Sequence, residues 1–202
     1  MRISCLHTNA SEIPVFERAC PKGMTLVHHV RSDLFYRAQQ DLDAGVLAET
    51  AAHMKRIAAG SDAVLLTCSL LGSGNLPGYC ADALLAEQCA KAARGKSLEV
   101  LYTCRPAFPT IKRYFGPLKG PRSVEITFIP AAWELLTSDR TDDHNVLVRD
   151  AVSKCKANFV AISQASMVAA LDTKSPRLLT APEAALQILS EKLAESTDAV
   201  AH

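Results

Sequence analysis

The chain has 202 residues, a length typical of one large domain or two small ones. Its composition, 49% hydrophobic and 21% charged, is that of a globular protein with a buried core and excludes a disordered chain. The net charge of +1 argues against nucleic acid or a membrane surface as a partner, and no apolar run approaches the roughly 20 residues of a membrane-spanning helix. The N-terminal segment turns polar too early for a signal peptide, so we expect a soluble, cytoplasmic protein.

Short apolar runs alternate with helical patterns along the whole chain. Strands are predicted at Ile3–Thr8, Thr25–Val30, Ala63–Cys68, Leu98–Thr103, Val124–Ile129 and Phe159–Ser163. Helices are predicted at Ile13–Cys20, Val46–Ala59, Ala81–Ala93, Thr110–Tyr114, Asn145–Lys156 and Pro182–Ala194. Near-continuous apolar strands separated by helices are typical of an α/β fold whose parallel sheets are covered on both faces.

Seven cysteines are distributed without the paired spacing of a zinc motif, and their odd number disfavours a disulfide framework. The Asp-Asp-His run at residues 142–144 lacks a second cluster that would complete a metal site. His7, His28 and His29 are expected to be hydrogen-bonded core residues. The sequence therefore predicts neither a metal nor another cofactor.

A weak internal repeat relates the two halves of the chain. Thr8 matches Thr103 at an offset of 95, with prolines 14 and 109 and arginines 18 and 113 in the same frame. Cys68 matches Gln164 at an offset of 96, and each follows a helix predicted to start with Val-Leu, at residues 46 and 146. Ligands of parallel α/β sheets bind beyond the carboxyl ends of the strands. We therefore expect these four strand-end residues to converge on one cleft between pseudo-symmetric halves.

Cys68 is the candidate catalytic residue. It follows an apolar strand and precedes a predicted turn into helix, where backbone N–H groups and the helix dipole favour a thiolate and lower the thiol pKa. Hydroxyls on both sides, Thr67 and Ser69, can donate hydrogen bonds to a substrate carboxylate. The alternative is a buried cysteine with a purely structural role.

Several segments together resemble the aspartate/glutamate/hydantoin racemase superfamily, in particular its hydantoin-racemase-like branch. They are His7-Thr8, Leu65-Leu66-Thr67-Cys68-Ser69, Pro130-Ala131-Ala132-Trp133-Glu134 followed by His144, Gln164-Ala165-Ser166-Met167, and Thr180-Ala181-Pro182-Glu183. The resemblance implies two Rossmann-like (flavodoxin-like) halves and cofactor-independent chemistry at a carbon next to a carboxylate or carbonyl. It further implies a first half of residues 1–94 plus about 182–202, and a second half of residues 95–181.

Superfamily members that racemise use one cysteine from each half, on opposite faces of the substrate carbon. The resemblance assigns Cys68 to the first position and Gln164 to the second, where an amide cannot transfer a proton. Cys104, at the end of a different strand, is the alternative proton-transfer group.

The remaining candidates would bind the substrate, a small carboxylate or hydantoin-like molecule. They are strand-end residues able to stabilise developing negative charge: Thr8, Asn9, Ser69, Thr103, Cys104, Gln164, Ala165 and Ser166. Helix N-capping is the alternative role for the Ser and Thr residues. Three functions stay open: an isomerase, a single-cysteine lyase resembling a decarboxylase, and a non-catalytic small-acid-binding protein. Homo-oligomerisation is also open.

Overall fold

The computed structural model describes residues 1–200, with side chains through residue 196. Within these residues two four-stranded parallel sheets are formed, with strand orders β2-β1-β3-β4 and β6-β5-β7-β8. The strands are β1 (Arg2–His7), β2 (Thr25–Val30), β3 (Ala63–Leu66), β4 (Tyr79–Cys80), β5 (Ser97–Tyr102), β6 (Ser123–Phe128), β7 (Phe159–Ile162) and β8 (Leu178–Thr180). Since the two orders are the same topology repeated, the predicted α/β fold with two halves is confirmed.

The described helices flank the sheets and repeat in the same order. They are α1 (Ile13–Ala19), α2 (Ser32–Gln40), α3 (Ala44–Ile57), α4 (Ala81–Ala92), α5 (Phe108–Phe115), α6 (Ala132–Thr137), α7 (Thr141–Lys154), α8 (Ala165–Val168) and α9 (Ala181–Val200). Pro14 and Pro109 both lie in a first helical turn, where a missing N–H removes no helical hydrogen bond. Short 3-10 turns at residues 10–12, 71–73 and 105–107 follow three of the strands.

The Val-Leu pairs at residues 46 and 146 do not occupy equivalent positions in their helices, contrary to the sequence repeat. Helices α3 and α7 both have 14 residues but begin at Ala44 and Thr141, an offset of 97. Val46 is therefore the third residue of its helix and Val146 the sixth, so the two Val-Leu pairs are not equivalent positions. The Asp-Asp-His run at residues 142–144 belongs to the first turns of α7, which starts four residues before its predicted beginning.

One buried hydrophobic cluster spans the two halves. Ile3 and Leu65 of the first sheet belong to the same buried cluster as Leu98 and Val100 of the second. Helix α9 packs against α4 and α1, so the C-terminal helix lies beside helices of the N-terminal half. The assignment of residues 182–202 to that half remains a prediction, and residues 201–202 lie outside the described residues. Among the described helices, none combines the length and apolarity needed to cross a membrane.

Candidate functional site

The carboxyl ends of the strands in the two sheets face each other at the centre of the molecule. The Ser69 hydroxyl, just after β3, donates to the carbonyl oxygen of Ser163, just after β7, at 3.4 Å. Helix α8 packs against the 3-10 turn Ala10–Glu12, and α5 packs against the turn Leu71–Ser73. The loops after the strands of one sheet therefore contact elements of the other half.

Cys68 lies at this meeting point and is 6% exposed. The Thr8 hydroxyl and the backbone N–H groups of Leu70 and Leu71 lie near its sulfur and act to lower the pKa of the thiol. These donors stabilise a thiolate, as the strand-end position predicts. Thr8 follows β1 and Cys68 follows β3, so the neighbouring strands of the first sheet bring the two side chains together.

The expected fall in the pKa of Cys68 is wrong for this arrangement. Burial raises the pKa of the thiol to about 12, and the charge of Glu12 adds to the increase. The hydrogen bonds from Thr8, Leu70 and Leu71 act in the opposite direction but are outweighed. The turn after Cys68 is a single 3-10 turn at Leu71–Ser73, which supplies a much weaker dipole than the helix the sequence suggested.

Gln164 occupies the corresponding position in the second half. Its side-chain oxygen accepts hydrogen bonds from the Thr103 N–H at 2.6 Å, the Thr103 hydroxyl at 3.0 Å and the Cys104 N–H at 3.1 Å. Gln164 thus contacts Thr103 as Cys68 contacts Thr8, in agreement with the sequence repeat. The amide oxygen fills a cradle of three donors at the end of β5.

The other predicted binding residues differ in their exposure and in their hydrogen bonds. Ala165 is buried and Ser166 is half-buried at the start of α8. Asn9 is exposed, and its side chain accepts from the Ser11 N–H at 3.0 Å, so it caps the 3-10 turn after β1. Cys104 contributes its backbone N–H to the cradle, while burial raises the pKa of its thiol to about 11.

Glu12 is part of the site but was not predicted from the sequence. Its carboxylate lies 3.0 Å from the Thr67 hydroxyl, beside Cys68, and its side chain is 13% exposed. Its negative charge raises the pKa of both Cys68 and Asp82. An acidic residue three positions after Asn9, the N-cap residue of the turn that follows β1, was the available signal.

Asp82 is the second residue that sequence reasoning missed. It lies in the first turn of α4, is 1% exposed, and burial raises the pKa of its carboxyl to about 7. Within the described residues, neither carboxylate oxygen has a hydrogen-bond partner of normal geometry, although the Ser69 hydroxyl lies near enough to lower the pKa. A carboxyl that titrates near neutrality beside Ser69 is suited to general acid–base chemistry.

The site is closed in this structure. Thr8, Cys68, Thr103 and Gln164 are each no more than 9% exposed. A cavity of about 520 Å³ lies instead between α1, α9 and the loop at residues 173–176, and contains none of the predicted site residues. The Phe35 ring of α2 and the Trp133 ring of α6 also meet, at 5.7 Å between centroids.

These two helices follow β2 and β6, so the Phe35–Trp133 contact joins the halves at the same carboxyl edge as the site. Cys68 is therefore reached from solvent only after local opening.

No family model matches the sequence, and no curated protein is significantly similar to it. Solved structures are similar over almost the entire chain. The aspartate racemase of Picrophilus torridus has a TM-score of 0.73 at 8% identity, covering 96% of this chain and 94% of that one. The chain has the aspartate racemase fold.

Two further racemases share this fold. The allantoin racemase of Pseudomonas fluorescens has a TM-score of 0.61 at 17% identity, covering 98% of this chain and 92% of that one. The glutamate racemase of Thermus thermophilus has a TM-score of 0.58 at 13% identity, covering 97% of this chain and 81% of that one. At these identities the likeness shows the fold, and it agrees with the resemblance seen in the sequence motifs.

Proposed function

We propose that this protein is a cofactor-independent enzyme of the aspartate/glutamate/hydantoin racemase superfamily. It acts at the carbon next to a carboxylate or carbonyl of a small amino-acid-like or hydantoin-like substrate. The observation that supports this most directly is the pairing of Cys68 with Thr8 at one strand end, opposite the equivalent pairing of Gln164 with Thr103. A fold shared with racemases of three substrate types supports the same chemistry.

Cys68 is the proposed proton donor and acceptor. With a pKa of about 12 its thiol is protonated at neutral pH, which suits delivery of a proton to a carbanion-like intermediate. Removal of a proton requires the thiolate, which the Thr8 hydroxyl and the N–H groups of Leu70 and Leu71 stabilise. The side chain of Gln164 cannot supply the second acid or base.

A single-cysteine lyase is the second candidate, and the cradle around Gln164 favours it. If the amide oxygen moves aside, the N–H groups of Thr103 and Cys104 and the Thr103 hydroxyl become free to bind an oxyanion. An enediolate formed by decarboxylation requires stabilisation of its negative charge, and then a single proton delivered to one face. Cys68 can deliver that proton without a second cysteine.

The experiment that separates these functions follows the α-carbon in deuterium oxide. The protein is incubated with aspartate, glutamate, a 5-substituted hydantoin and a substituted malonate, and proton NMR and carbon dioxide release are recorded. Solvent deuterium at the α-carbon of a recovered substrate supports an isomerase, and carbon dioxide release from the malonate supports a lyase. Either activity should be lost in Cys68→Ser and kept in Cys89→Ser, which changes a buried thiol in the last turn of α4.

Binding of these acids without turnover, seen as a rise in melting temperature, would support a non-catalytic binding protein and overturn the enzymatic proposal. Turnover that survives in Cys68→Ser would overturn the role of the thiol.

A further inference from the structure

Three metal-binding side chains share one face of the first sheet. Cys5 and His7 are two residues apart on β1, so their side chains point to the same side of the strand. His28 lies on β2 directly opposite Cys5 in the parallel register. The sequence shows no zinc motif here, because the donors come from two strands and are separated by 21 residues.

The donor atoms of these side chains converge. The Cys5 sulfur and one ring nitrogen from each histidine all lie within 4.8 Å of one another. Nε2 of His7 is 2.8 Å from Nδ1 of His28. Donor atoms around a tetrahedral zinc ion are separated by roughly 3.5 Å, given the usual Zn–N and Zn–S lengths. The cluster is therefore compact enough for one ion to contact all three donors.

The outer nitrogen of each ring already faces a hydrogen-bond acceptor. Nε2 of His28 is 2.7 Å from the Glu17 carboxylate. Nδ1 of His7 is 3.0 Å from the Thr67 hydroxyl and 3.4 Å from the Glu12 carboxylate. Carboxylate acceptors in these positions can hold the proton on the outer nitrogen of a neutral imidazole, an arrangement common around metal-bound histidines.

The inner nitrogens are 2.8 Å apart, so one proton shared between them satisfies both rings when no metal is bound. The Cys5 sulfur lies within 4.8 Å of a nitrogen of each ring. A divalent ion that replaces the shared proton would bind both rings and the sulfur together.

We propose that Cys5, His7 and His28 form a binding site for a zinc-class divalent transition metal. One thiolate and two imidazoles are the donors that Zn²⁺ prefers, and Co²⁺ accepts the same set. Glu17 and Glu12, with Thr67, orient the rings from outside. The metal site adjoins the strand-end site, because Glu12 and Thr67 contact His7 and also lie beside Cys68, but metal binding does not depend on the proposed function.

The surroundings allow an ion to enter. The cluster lies beneath α1, with the Phe16 ring against His7 at 5.3 Å between centroids. Cys5 and His7 are buried, but the His28 side chain is 15% exposed and Glu17 is 51% exposed. The route from solvent therefore passes His28, and the apolar cover over the other two donors excludes competing water.

Metal binding to the full chain tests the proposal directly. Purified protein is stripped with a chelator and titrated with Co²⁺ under reducing conditions, and Zn²⁺ is then added in competition. We expect one equivalent of Co²⁺, a thiolate-to-cobalt charge-transfer band in the near ultraviolet, and displacement of that band by Zn²⁺. Wild-type protein without this band, or with a cobalt spectrum that lacks thiolate character, overturns the site.

Variants identify the ligands. The charge-transfer band should be abolished by His28→Gln, at a partly exposed position, and by Cys5→Ser. It should persist in Cys89→Ser and His144→Gln, which alter a buried thiol and a buried imidazole elsewhere. Cys20→Ser is the local control, because the Cys20 thiol is directed at the carbonyl oxygens of Pro21 and Met24. Glu17→Gln should weaken Zn²⁺ binding by about 10- to 100-fold, as loss of an orienting carboxylate does in other sites.

Circular dichroism spectra establish that each variant is folded. A band that persists in folded His28→Gln, or that disappears in Cys20→Ser but not in Cys5→Ser, contradicts the proposed ligand set.

Discussion

The side-chain oxygen of Gln164 lies 2.6 Å from the backbone nitrogen of Thr103, so the protein provides its own acceptor for a strand-end donor. The Thr103 hydroxyl and the Cys104 N–H donate to the same oxygen. At the equivalent place in the first half, the Thr8 hydroxyl lies beside the Cys68 thiol and acts to lower the pKa of that thiol. The two halves thus repeat a geometry but differ in chemistry: one side chain can exchange a proton and the other can only accept or donate hydrogen bonds.

Removing the Gln164 amide should create a site that responds to small anions. In Gln164→Ala the Thr103 and Cys104 N–H groups lose their acceptor while remaining buried, which costs about 1–3 kcal/mol for an unsatisfied buried group. We expect the free energy of unfolding in urea to fall by that amount. Acetate or formate should restore part of the loss, because a carboxylate oxygen can replace the amide oxygen.

The exposed Gln187→Ala is the matched control, since Gln187 bonds only Glu191 on the surface of α9. Its unfolding free energy should change little, with or without acetate. An equal acetate effect in wild type, Gln164→Ala and Gln187→Ala would show a general salt effect and contradict the cradle.

Placing a thiol at residue 164 should supply the missing second base. General acid–base groups contribute 10²–10⁴-fold, so Gln164→Cys should raise α-proton exchange by roughly 10²-fold with a substrate that wild type binds. Exchange measured separately on each enantiomer shows which face has gained a proton carrier. A wild type that already racemises both enantiomers equally fast, with no gain in Gln164→Cys, would show that the second base is elsewhere.

Much of the fold was predictable because parallel strands covered on both faces appear as apolar runs, and six strands were found that way. The missed strands β4 and β8 have two and three residues, too few to form such a run. The position of the candidate site was predicted from the duplication, since Thr8, Cys68, Thr103 and Gln164 are all strand-end residues.

What sequence could not supply was the environment of each side chain. The pKa of Cys68 depends on burial in the hydrophobic cluster that also contains Leu6, Val46 and Leu71, and this burial outweighs the local donors that favoured a thiolate. Asp82 is an ordinary first-turn acid in sequence, and only tertiary packing makes it a buried carboxyl. The cluster of Cys5, His7 and His28 depends on the register of β1 against β2, which composition does not specify.

The rate at which Cys68 is alkylated should be low because the site is closed. Burial raises the pKa of Cys68 to about 12, while Cys20 is only partly buried. Iodoacetamide should therefore modify Cys20 first under native conditions, and Cys68 should react only at the rate at which the strand ends open. Mass spectrometry of peptides at increasing times gives both rates. Modification of Cys68 ahead of Cys20 would mean that an open form with an accessible thiolate is populated.

Replacing Asp82 should change how stability depends on pH. The folded-state pKa of about 7 lies above the ordinary value of 3.8, so the folded protein binds more protons than the unfolded chain between those values. This carboxyl therefore stabilises the fold least at high pH: its contribution is complete below about pH 4 and is lost as the pH rises through 7. Wild type should lose stability relative to Asp82→Asn by up to about 1.4 kcal/mol per pH unit in this window, and the difference should level off above it.

Urea unfolding of wild type and Asp82→Asn between about pH 4 and pH 7 measures the slope. The stability of Asp142→Asn, at an exposed position on α7, should depend on pH as that of wild type does. Parallel curves for wild type and Asp82→Asn would show that Asp82 is ionised throughout, and would remove it as a group able to exchange protons near neutral pH.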